Sequence, residues 1–129
     1  MTTLHPFLMF EGRAEEAMSV YAGLFPDASI DEVNRWPDGG PNAGKIMTAR
    51  FTLAGQTFMA NDSPVNHAFA FTPSISFFVT VDDEAQLEAL AAELGRDGQV
   101  LMPPGAYGFS RRFTWVNDRF GVSWQLNLP

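Results

Sequence analysis

One pattern limits the folds open to this chain more than any other: strand, helix and three further strands, written twice in succession. The first pass begins with Leu4–Phe10, short, apolar and aromatic, with Pro6 holding its start to an edge or bulge position. Arg13–Phe25 follows as a helix, because Ala14, Ala17, Met18, Tyr21, Leu24 and Phe25 recur at helical spacing. Ser29–Trp36, Lys45–Leu53 and Gln56–Asn61 complete it as strands, the last two joined by the tight turn Ala54-Gly55. The segment from Asp62 to Pro73 is a long connection rich in turn-forming residues.

The second pass opens on Ser74–Val81, where Ile75, Phe77, Val79 and Val81 alternate with Ser74, Ser76, Phe78 and Thr80. Asp82 or Asp83 is a ready N-cap for a helix over Ala85–Leu94, with Gly95 read as the C′ glycine that ends it. Gln99–Met102, Phe109–Val116 and Val122–Leu128 are the remaining strands. A shift of 70 residues lays Ala17, Val20, Tyr21 and Leu24 on Leu87, Leu90, Ala91 and Leu94. A shift of 71 lays Leu8 on Val79 and Phe10 on Val81, so one residue is gained or lost at a strand–helix junction.

Composition narrows the function classes. The 129 residues form a chain of one-domain length, read as a single domain over 1–129 with modules at about 1–62 and 74–129 and a linker over 63–73. A net charge of −7 repels phosphate backbones, which argues against nucleic acid as a partner. The absence of cysteine removes thiol nucleophiles, Cys-type zinc sites and disulfides, and fits a cytoplasmic location. No basic stretch followed by an apolar run marks a signal peptide, and no apolar run approaches the roughly 18 residues of a membrane span.

Two end motifs resemble a known family. Pro6-Phe-Leu-Met-Phe-Glu-Gly-Arg-Ala-Glu-Glu-Ala17, followed by Tyr21 and Leu24-Phe25-Pro26, resembles the opening of PhnB-like proteins, and Asp118-Arg-Phe-Gly-Val-Ser-Trp-Gln125 resembles their closing motif. These proteins form a branch of the vicinal oxygen chelate superfamily, with glyoxalase I, extradiol dioxygenases and bleomycin-resistance proteins. The branch carries the label 3-demethylubiquinone-9 3-methyltransferase. The resemblance implies an α+β fold of two βαβββ modules, each a curved half-barrel sheet with its helix outside, enclosing a cleft and usually assembled as a homodimer. Methyl transfer does not fit the residues: no strand runs through a glycine-rich loop into a helix, so no S-adenosylmethionine site is expected, and no cofactor is predicted.

The resemblance also implies where a divalent ion would be held, on the first and last strands of each module. Strand phase puts His5 and Met59 at those places in the first module, and Ser76 and Gln125 in the second, Gln125 standing where the family places glutamate. Methionine is soft, a serine hydroxyl weak and an amide uncharged, whereas a catalytic site takes about three good protein ligands. No metal is therefore expected; Glu11, Asp62 and His67 lie in turns without ligand spacing. His5 and Gln125 are the weak catalytic candidates. Serine nucleophiles lack both a GxSxG elbow and a triad context. Of Arg111 and Arg112, one faces inward if the strand is regular, where it would bind a carboxylate or phosphate.

Aromatic residues supply the positive signal. Twelve phenylalanines, three tryptophans and two tyrosines exceed what the helix-packing core needs. Phe7, Met9, Met59 and Asn61 in the first module, and Ser76, Phe78, Trp115 and Gln125 in the second, are read as lining for an apolar or aromatic small molecule. The competing readings are an enzyme of the same superfamily, with or without metal, and a dimeric structural module whose cleft is filled.

Overall fold

The computed structural model describes all residues from Met1 to Pro129. They divide into two compact units, Met1–His67 and Ala68–Pro129. The first unit holds β1 (Phe7–Phe10), α1 (Ala14–Leu24), β2 (Ser29–Arg35), β3 (Ile46–Leu53) and β4 (Gln56–Asp62). The second holds β5 (Phe77–Thr80), α2 (Glu84–Gly95), β6 (Gln99–Gly105), β7 (Arg112–Asn117) and β8 (Ser123–Leu128). Each unit is one open four-stranded mixed sheet, ordered β1-β4-β3-β2 and β5-β8-β7-β6. In both, the first strand lies parallel to the last and the other pairs are antiparallel. The repeated βαβββ pattern is therefore present in full. No helix is long and apolar enough to cross a membrane.

In the first unit α1 buries Ala14, Ala17, Met18 and Tyr21 against the sheet face that carries Leu8, Phe10, Ala49, Phe51, Phe58 and Ala60. Phe51 and Phe58 stack with ring centroids 5.2 Å apart, on the helix side of the sheet. The start of α1 has no side-chain cap of its own. Asp62 at the end of β4 serves instead: its Oδ1 accepts from Ala14 N, the first amide of the helix, at 3.0 Å and from Gly12 N in the preceding turn at 2.8 Å. Arg35 of β2 donates to Glu15 of α1, with Nη2 2.5 Å from Oε2, and this hydrogen bond holds the Glu15 carboxyl below its usual range.

In the second unit α2 buries Leu87, Leu90 and Leu94 on the side of Val116, Trp124 and Leu126. Asp83 is the N-cap: its side chain accepts from Gln86 N at 2.8 Å, while Gln86 reaches back to Asp82 N at 2.9 Å. Asp118 organises the β7–β8 turn. Its carboxylate accepts from Phe120 N, Val122 N and, at 2.9 Å, Trp124 Nε1. Gly121 in that turn has φ 93°, a conformation that side chains resist.

Several expectations need correction. Gly95 does not end α2 as a left-handed glycine; the helix includes it, and the left-handed residue is Asp97, with φ 57°. Ile75 does not face a helix but is 68% exposed. A turn tied by Ile75 N to Thr72 O and by the Thr72–Ser74 hydroxyls keeps it off the sheet, so β5 starts only at Phe77. Strand β6 runs on through Pro103 and Pro104, which an edge strand tolerates because the missing N–H bonds are not needed there. Phe109 precedes β7 rather than belonging to it.

Candidate functional site

A strand places alternate residues on opposite faces, so the residues that do not meet α2 share the other face of the second sheet. Cross-strand register makes Trp115 (β7), Gln125 (β8) and Phe78 (β5) one transverse row on that face. Phe113 and Asn127 form the adjoining row, with Thr80 beyond them. Phe78 is 57% exposed, and Gln125 and Trp115 are half-buried. An uncharged amide thus sits between two aromatic side chains.

Two hydrogen bonds fix the polar groups of this face. Gln125 Nε2 donates to Ser76 Oγ at 2.7 Å, bringing together the two residues that strand phase had put at ligand-like positions. Trp115 Nε1 donates to Ser123 Oγ at 2.8 Å. The Oδ1 atoms of Asn127 and Asn117 are buried without a hydrogen-bond partner. Next to the row stands an aromatic rim absent from the predicted lining. Phe113 packs edge-on against Phe109 at 4.9 Å and Tyr107 at 6.0 Å, and lies 6.4 Å from Phe78. Tyr107 is pinned by its hydroxyl, which donates to Pro103 O at 2.5 Å.

The first unit has an analogous face turned away from α1. Phe7 lies opposite Met59 and Met9 opposite Asn61 in the parallel β1–β4 register. Phe7 is exposed and the other three half-buried. Asn61 Oδ1 and His5 Nδ1 are buried and unpartnered. His5 precedes β1 and has no hydrogen-bonded carboxylate to orient its ring, an arrangement poorly suited to general-base work.

The remaining candidates lie outside these strand rows. Arg112 lies on the α2 side, donating to Glu88 at 2.6 Å, and Arg111 precedes β7 and donates to Pro129 O. Arg112 is therefore turned to α2, and Arg111 is exposed. Asp62 is not a loop residue available to an ion but a buried structural acceptor, its Oδ2 taking Ile46 N at 3.0 Å. His67 is tied to Ser63, with Nε2 2.7 Å from Oγ. Glu11 is exposed beyond the end of β1.

The donor chemistry of these faces does not suit a divalent ion. The Ser76 hydroxyl is a weak donor and already accepts from Gln125, the Gln125 amide is uncharged, Met59 is soft, and no three His, Asp or Glu side chains converge anywhere in the chain. A methyl donor fares no better at the β1–α1 junction, where the amides of Gly12 and Ala14 are already committed to Asp62. Asn127 and the Tyr107–Phe109 rim were not among the predicted lining. Asn127 shares the strand phase of Gln125 two residues earlier, and that spacing was the signal for it.

Comparison with known proteins places the chain. The family described as 3-demethylubiquinone-9 3-methyltransferase matches residues 2–127. A solved PhnB protein from Bacillus cereus is 47% identical, covers 99% of this chain and 100% of its own, and superposes with a TM-score of 0.96. Protein YjdN of Escherichia coli (strain K12) is 27% identical over 97% of this chain and 94% of its own length. A glyoxylase/bleomycin resistance protein/dioxygenase domain from Frankia sp. EAN1pec shares the fold at 13% identity, with a TM-score of 0.70 over 99% of this chain and 97% of that one.

Proposed function

The chain belongs to the 3-demethylubiquinone-9 3-methyltransferase family of PhnB-like proteins, with the glyoxalase/bleomycin resistance fold, and from that membership we propose that it is a small-molecule-binding protein rather than a methyltransferase. The site is the helix-free face of the second sheet, and the ligand is apolar or aromatic. The observation that carries this reading is the Trp115–Gln125–Phe78 row, with aromatic surface left in water beside a single fixed amide. Phe109 and Tyr107 add exposed rings at its edge, 60% and 40% accessible. Covering apolar area is worth about 25 cal/mol per Å², and a few well-placed polar groups then set orientation. The cysteine-free composition supports a reducing compartment.

We also infer that two copies pair. Strand β2 is a sheet edge with no buried residue along its length, and it exposes Ile30 and Val33. An edge strand leaves a row of N–H and C=O groups that a second chain can pair with.

The uncharged fluorescent probe N-phenyl-1-naphthylamine tests the binding reading. It should give a saturable rise in emission, with one site per chain. Phe78→Ala should weaken binding about tenfold, as expected when one ring contact of roughly 1.4 kcal/mol is removed. Phe78 is exposed, so its truncation should leave the melting temperature nearly unchanged. No saturable binding, or equal affinity in the variant, would contradict the assignment.

A further inference from the structure

The polar groups of the same face carry a direction. Ser76 Oγ takes the Nε2 hydrogen of Gln125, so the amide is locked with its carbonyl oxygen, Oε1, as the unengaged end. The indole N–H of Trp115 is spent on Ser123. An amide carbonyl oxygen only accepts, so a ligand gains a hydrogen bond from it only by supplying an N–H or O–H. The chain also carries a net charge of −7, which disfavours an anionic guest.

We propose that the ligand is a planar aromatic molecule bearing a hydrogen-bond donor, neutral or cationic, read by Gln125 Oε1. This rests on the binding reading above and adds polarity to it. The face therefore selects a phenol-, amine- or amide-bearing ring system over a carboxylate or a purely acceptor-substituted analogue. Ser76 is a positioning residue here, since it holds the Gln125 amide from behind without needing to touch the ligand.

Three naphthalene probes test it: 2-naphthol, which donates; 2-methoxynaphthalene, which only accepts; and 2-naphthoate, an anion. Wild-type protein should bind 2-naphthol about tenfold more tightly than 2-methoxynaphthalene, the size of one net hydrogen bond, and should bind 2-naphthoate least. Gln125→Leu should bring the two neutral probes close to equal while still binding both. Ser76→Ala, a smaller change, should reduce the preference in the same direction by freeing the amide to rotate. Melting curves verify that both variants fold. Equal affinity for the two neutral probes in wild type overturns the donor assignment and leaves the aromatic site standing. A preference for 2-methoxynaphthalene overturns it by showing the amide presented nitrogen first. Failure of every probe to bind overturns the site itself along with this inference.

Discussion

Asp62→Ala should cost the protein about 3 kcal/mol or more, seen as a melting temperature lower by about 10 °C or more. The side chain is buried, and its two oxygens accept from three backbone amides: Gly12, Ala14 and Ile46. Those amides belong to the β1–α1 turn, the first turn of α1 and the start of β3. One carboxylate therefore ties three segments to the end of β4 and takes the place of an N-cap at a helix that has none. Alanine leaves all three donors without partners in a dry environment. Asp62→Asn should recover only part of the loss. Its carbonyl can still serve Gly12 and Ala14, but its NH₂ then confronts Ile46 N–H, donor against donor. Urea unfolding of the three proteins checks the order. A loss below about 1 kcal/mol for the alanine variant would mean that water satisfies these amides.

Gly98→Ala should be the second severe lesion. A Cβ built there would lie 2.1 Å from Asn117 O and 3.0 Å from both the carbonyl carbon and Cα of Asp118. The obstruction is backbone, and that backbone is held on several sides. Asp118 N donates to Val122 O, and its carboxylate is bound to two amides and the Trp124 indole. Relief would require parting β7 from the segment that follows α2, at about 2–3 kcal/mol or more, the range of an overpacked core. Gly23 in α1 is the control. A Cβ there meets nothing within 4 Å, so Gly23→Ala should be neutral or stabilise by up to about 1 kcal/mol. Equal melting temperatures for the two alanine variants would contradict the packing argument.

How much of this could be read beforehand follows from where each constraint originates. The two modules were legible because the apolar spacing in α1 and α2, and the alternation in β1 and β8, record burial directly: Leu8, Phe10, Leu87, Leu90, Trp124 and Leu126 are all core. The same alternation carried Phe78, Trp115 and Gln125 to one face. Asp62 was hidden because polar residues crowd the segment after it. That made a loop the natural reading, although continuing the phase of Phe58 and Ala60 puts Asp62 on the α1 side. Gly98 gave no local sign at all, since its constraint is a strand distant in sequence. The end of α2 differs from the expectation because a glycine near a helix terminus is an ordinary stop signal, whereas here Asp97 takes the left-handed position. Alternation alone does not decide the side of Arg112; Glu84 and Glu88 on α2 do.

Native mass spectrometry of protein purified without chelator, paired with elemental analysis, goes most directly to the claim that this fold here holds an aromatic molecule without a coordinated ion. The chain should fly as a dimer, take up 2-naphthol at one molecule per chain, and carry divalent metal far below one equivalent. A stoichiometric divalent ion that stays with the folded protein, and whose removal abolishes uptake of the naphthol, would contradict it.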